Sequence, residues 1–164
     1  MTQENRQKFG EENTTENTEK TCFMNMCMIQ DEQGKVLALD KVDEDYAGTT
    51  FPGGHVKKEE SFYASVVREI REETGLEIKD PLLYGVYHWT ETGVHNVIFL
   101  YKAKEFSGTL KSSEEGKVYW ISLEEFKKKK LAVGMQNVLK IMTSDQISEC
   151  WVRSAPEGYI GTLY

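Results

Sequence analysis

The chain has 164 residues, 39% hydrophobic and 29% charged, which supplies apolar matter for one core and too little length for a second. Lys and Arg number 20 against 27 Asp and Glu, a formal net charge of −7, so a broad electrostatic surface for nucleic acid is not expected. No apolar run approaches the roughly 20 residues that span a bilayer, and residues 1–20 lack the basic start and apolar centre of a secretory signal, so no membrane partner is expected and the cytoplasm is the expected compartment.

Residues 1–20 hold only Met1 and Phe9 as large apolar side chains, too few to offset the entropy of ordering, and read as a disordered tail. A domain is expected over 21–144, with 145–164 a C-terminal segment that packs on it or extends from it. From Cys22 to Ile29 the chain is densely apolar, broken at Asn25. Turn residues follow at Asp31–Gly34, then Val36–Leu39, which reads as strand, turn, strand. The polar stretch 41–50 reads as a loop, closed by Phe51-Pro52-Gly53-Gly54.

Between Ser61 and Thr74, at about 100° per residue, Phe62, Tyr63, Val66, Val67 and Ile70 fall on one arc, and Gly75 stands where a glycine ends a helix. Leu82–Trp89 and His95–Ala103, rich in β-branched and aromatic residues, are expected to pair as strands. Lys117–Ile121 reads as a short strand. Ser122-Leu123-Glu124-Glu125 has the start of a helix running toward Lys127–Lys130, and a further helix is expected over Ala132–Met142. Cys22, Cys27 and Cys150 are odd in number and show no CxxC spacing, which argues for reduced structural thiols.

The helix over 61–74 is electrostatically unusual. Glu69, Glu72 and Glu73 stand at i, i+3 and i+4 in its last turns, where like charges repel and the macrodipole disfavours acids by roughly 0.3–1 kcal/mol each. One reading is a solvated face on which Arg68 and Glu72 form an exposed pair of little worth. The other is a platform for a hard divalent cation, Mg²⁺ with Mn²⁺ as substitute, which turns crowded carboxylates into a site.

This stretch resembles the Nudix box, G-x5-E-x7-R-E-U-x-E-E-x-G-U with U a bulky aliphatic residue. Gly54, Glu60, Arg68-Glu69-Ile70, Glu72-Glu73 and Gly75-Leu76 fill every fixed position. The resemblance implies an α/β fold, an α/β/α sandwich around a mixed sheet, and metal-dependent hydrolysis of a nucleoside diphosphate linked to another group. Carried over by position, it makes Glu69, Glu72 and Glu73 the metal-binding acids, gives the carbonyl of Gly53 to the same cation, and makes Arg68 and Glu60 the pair that braces the loop. As general base it places Glu72 first, Glu69 second, and Glu114 or Glu115 third, Glu115 also being a candidate metal ligand.

Gly54, His55 and Phe51 are candidate phosphate- or substrate-binding residues, although a loop histidine and a core phenylalanine are the plainer readings. The same choice between base stacking and packing applies to Tyr87, Trp89 and Trp120, while His88 and His95 are assigned to packing or solvent. Within the family the chain looks most similar to MutT-like members, which implies conversion of an oxidised purine nucleoside triphosphate such as 8-oxo-dGTP to monophosphate and pyrophosphate. Nucleotide sugars, dinucleotides or RNA 5′ ends are the alternative substrates, and a non-catalytic nucleotide-sensing or partner-binding module is the alternative of another class. The expected partner is a small nucleotide, with a homodimer as a candidate assembly.

Overall fold

The computed structural model describes residues 18–164. Along them run β1 (Thr21–Ile29), β2 (Val36–Lys41), β3 (Gly48–Thr50), α1 (Phe62–Thr74), β4 (Leu76–Lys79), β5 (Leu82–Glu91) and β6 (Val94–Ala103). β7 (Glu105–Gly108), β8 (Gly116–Ile121), α2 (Leu123–Lys127), α3 (Met135–Met142), β9 (Glu149–Ala155) and β10 (Gly158–Leu163) complete the order.

The largest sheet has the order β1-β6-β5-β9-β10. β1 lies parallel to β6 and β5 parallel to β9, whereas β5–β6 and β9–β10 are antiparallel, so the sheet is mixed. A second sheet, β3-β2-β8, and the two-stranded β4-β7 are antiparallel. Strand alternation divides the core. Met26 and Met28 of β1 join Leu100 of β6 against Val138, Leu139, Ile141 and Met142 of α3. Cys27 and Ile29 join Tyr101 and Ala103 against Val66 and Ile70 of α1. The two helices therefore cover opposite faces, which is the expected α/β/α sandwich. Val66 and Ile70 are fully buried, and each such side chain contributes roughly 1.5–3 kcal/mol by leaving water.

Several elements differ from the sequence expectation. β3 lies inside the expected loop 41–50, where Leu39, Asp40 and Lys41 of β2 pair with Thr50, Thr49 and Gly48. α3 starts at Met135 instead of Ala132, because Ala132 donates its N–H to Thr49 O and Gly134 takes a left-handed conformation at the helix start. β9 and β10 turn the C-terminal segment into a hairpin that extends the main sheet through β5 and sends Cys150 into the core. Residues 1–17 of the expected tail lie outside the described residues, and at its end His95 donates its backbone N–H to Lys20 O. All three cysteines are free thiols. None of the described helices is long and apolar enough to cross a membrane.

Candidate active site

The helix α1 is fixed at both ends by local chemistry. Ser61 accepts the Ala64 N–H at 3.0 Å, and Gly75, left-handed at φ 75°, donates its N–H to Arg71 O. Its buried stripe, Val66, Ile70 and Glu73, follows the helical repeat, so Glu73 projects inward while Glu72 stays half exposed. The three acids thus share one end of the helix but not one environment.

The segment before the helix leans on β1. Cys27 donates its N–H to Pro52 O, Asn25 to Gly54 O, and Val56 to Phe23 O. A Cβ on Gly53 would collide with the Asn25 carbonyl, so that position demands glycine for space, whereas one on Gly54 would meet only the movable end of the Glu69 side chain. Pressed this closely, the Gly53 N–H donates to Glu73 Oε2 at 2.8 Å. Buried Asn25 ties the two parts together, donating from Nδ2 to Ser65 Oγ at 2.8 Å and accepting the Gly54 N–H at 3.4 Å. Neither Asn25 nor Ser65 was a sequence candidate. The one available signal was a polar residue interrupting an apolar strand.

Arg68 and Lys41 organise the charge. Arg68 binds Glu60 through Nε and Nη2 at 2.7 and 2.9 Å, Glu69 and Glu72 through Nη1 at 2.6 and 3.0 Å, and the His55 carbonyl at 3.0 Å. The exposed Arg68–Glu72 pair of the plainer reading is therefore replaced by a guanidinium only 13% exposed that serves four residues. Arg68 holds the Glu60 carboxyl down at about 2. Lys41, at the end of β2, lies 3.5 Å from Glu73 Oε1 and forms a salt bridge to Glu115. Burial pushes the Glu73 carboxyl up to about 7, against the pull of the Gly53 N–H and Lys41 and with the repulsion of Glu115 and Glu69 added. Glu115 is held below the usual carboxylate range, chiefly by its hydrogen bond to Lys41.

The fold thus brings Glu69, Glu72, Glu73, Glu115, Gly53 and Gly54 around one end of α1. Of His55, it is the backbone carbonyl that takes part, while the residue is exposed. Phe51 corrects the expectation of a substrate contact: it is 1% exposed and stacks on Phe126 at 4.6 Å, so the ring belongs to the core. Trp120 stacks on Phe106, and Tyr87 meets Trp89 edge-on. His88 and His95 hydrogen-bond each other at 2.8 Å, with Glu149 and Glu19 beyond them.

Among the described residues, no three His, Cys, Asp or Glu side chains converge in a metal-holding arrangement. Arg68 draws Glu69 and Glu72 to itself, and Lys41 does so for Glu73 and Glu115. The donors still fit a hard dication in kind, being carboxylate and carbonyl oxygens at one helix end, one of them buried where an added positive charge would favour its ionised form.

The pattern of the NUDIX domain matches residues 25–141, most of the chain. The chain belongs to the Nudix family. The Nudix hydrolase YvcI of Bacillus subtilis is 34% identical over 126 residues, which is 73% of this chain and 78% of that protein. The CTP pyrophosphohydrolase of Escherichia coli K12 is 31% identical over 99 residues, 59% of this chain and 73% of its own length. A MutT protein from Bacillus halodurans has a similar structure, with TM-score 0.71 and 28% identity over 85% of this chain and 97% of that one. As a Nudix hydrolase of the MutT-like kind, the protein cleaves phosphorus anhydrides in nucleoside diphosphate-linked compounds, a chemistry for which the family generally uses divalent metal.

Proposed function

We propose that this Nudix hydrolase is a nucleoside triphosphate diphosphatase acting on oxidised purine nucleotides such as 8-oxo-dGTP, and that Glu69, Glu72, Glu73, the Gly53 carbonyl and Glu115 hold Mg²⁺ or Mn²⁺. The observation that carries the reading is Glu73, a carboxylate 5% exposed and pressed against a backbone N–H on the same helix end as two further acids. A fold selected for stability alone gains nothing from that burial. When bound, the cation screens the phosphate oxygens and lowers the pKa of the attacking water.

The chain's own residues supply the rest. Glu72, the most exposed of the three acids, takes the water's proton as its oxygen bonds to phosphorus; the α–β anhydride bond breaks and its electron pair leaves with the departing phosphate group. Arg68 is a positioning residue, since it fixes Glu69 and Glu72 through one nitrogen while anchored on Glu60. The purine is what the MutT-like resemblance of the sequence implies, and the name of the Escherichia coli relative supports a pyrimidine triphosphate as the second substrate to test.

The deciding experiment is a panel of normal and oxidised nucleotides, with pyrophosphate and orthophosphate detected separately. Mg²⁺-dependent pyrophosphate release, lost with EDTA and in Glu73→Gln, is the expected result. Turnover that survives both treatments overturns the assignment.

A further inference from the structure

A depression of about 580 Å³ opens beside the outer face of the acid cluster. Glu72 forms one wall. Facing it is the segment between β7 and β8, which contributes Lys111, Ser112, Ser113 and Glu114, while Arg71 closes the helix side. The segment is built onto the helix end: Lys111 donates its N–H to Thr74 O at 2.8 Å, and Gly75 leaves room for the Thr109 carbonyl. Ser112 Oγ accepts the Val118 N–H and Ser113 Oγ accepts the Glu115 N–H, which fixes both side chains and leaves each hydroxyl its own hydrogen to donate.

The charge of this hollow depends on Glu72. With Glu72 engaged at the metal site, Lys111, Arg71 and two hydroxyl donors are left with the carboxylate of Glu114, and Arg71 also stands 3.5 Å from Glu77 in an exposed pair that water screens. A helix C-terminus alone would repel an anion, but the Thr74 and Arg71 carbonyls are already taken by the N–H groups of Lys111 and Gly75. The geometry points to a seat for the unesterified phosphate end of the substrate, the part that leaves as pyrophosphate, with Lys111 and Arg71 as the specificity-determining residues. The inference rests on the hydrolase reading above and narrows it: the protein selects nucleotides with a free terminal phosphate over diphosphates capped by a sugar or second nucleoside.

Two readouts on the full chain test this. In calorimetric titration with inorganic pyrophosphate, with and without Mg²⁺, Lys111→Ala and Arg71→Ala each weaken binding about tenfold, while Lys79→Ala, which removes an equal charge from the exposed pair with Glu105, does not. In steady-state assays the same two variants lower the kcat/KM ratio for a nucleoside triphosphate over ADP-ribose about tenfold. Equal pyrophosphate binding by wild type and both variants overturns the subsite, whether or not turnover is seen. A wild type that hydrolyses no anhydride with Mg²⁺ overturns the hydrolase reading instead, and the binding result stands separately.

Discussion

Lys41 and Glu73, 32 residues apart in the chain, meet at 3.5 Å where β2 ends against α1. The same ammonium holds Glu115, so a single cation links the acid-bearing helix to the segment before β8. Replacing Lys41 with Met removes that link while keeping the aliphatic stem. Burial then acts on Glu73 without its cation, and the variant is expected to need several-fold more Mg²⁺ for half-maximal activity. Metal titration of the rate checks this, and an unchanged requirement would show that Lys41 only neutralises the unliganded site.

The two adjacent glycines predict different outcomes. At Gly54 the added methyl of alanine meets the end of the Glu69 side chain, which can swing away; at Gly53 it meets the backbone of Asn25 and Met26, which cannot. Gly54→Ala is therefore expected to lose about 100-fold in kcat with little change in melting temperature. Gly53→Ala should instead lose about 2 kcal/mol or more of stability. Thermal melts alongside kinetics separate the two.

Acid sensitivity follows from Glu60. Its folded pKa of about 2 lies below the 4.5 of the unfolded chain, so the unfolded state takes up the proton first as pH falls. The stabilisation is complete above pH 4.5 and is lost as pH drops toward 2. Glu60→Gln should flatten that acid limb and, at pH 7, cost about 1–2 kcal/mol by weakening a two-point ion pair. Urea melts between pH 2 and 7 measure both effects. Identical acid limbs in the two proteins would contradict the assignment.

Phe51 provides a check on the corrected role. Because its ring stacks on Phe126 inside the core, Phe51→Leu should lower stability by about 1–2 kcal/mol and leave the nucleotide KM unchanged. A raised KM at unchanged stability would return the ring to the substrate.

Truncation after Met142 keeps the full span of the NUDIX match yet strips β9 and β10 from β5. Buried Cys150, with Val152 and Leu163 packed beside it, would leave the core that contains Tyr87 and Leu139. Loss of a cooperative melt is expected, measured by calorimetry. A sharp transition near the parent temperature would show that the hairpin is dispensable.

Much of this was legible from local pattern. Apolar runs bounded by turn residues gave β1 and β2, β-branched and aromatic enrichment gave β5 and β6, the short run after Gly116 gave β8, and the arc of Val66 and Ile70 gave α1 with its glycine stop. β4 and β7 have four residues each, too short for a period to emerge, and their pairing joins positions about 30 residues apart. The three acids were visible in sequence, but the split between inward Glu73 and half-exposed Glu72 needs the precise helix phase. Glu73 sits three residues after Ile70 and seven after Val66, so the apolar arc already contained it. The roles of Lys41 and Asn25 arise from contacts across 29 to 74 residues, for which local spacing holds no trace.

The bonds from Asn25, Cys27 and Val56 make the glycine segment behave as an additional rung beside β1, with His55 bridged to Met24 although the segment is not one of the named strands. Amide deuteration at these three positions should therefore be slow, at the pace of the sheet's interior. Catalytic turnover must then proceed around a stationary floor, with the approach and departure of nucleotide governed by other parts of the molecule.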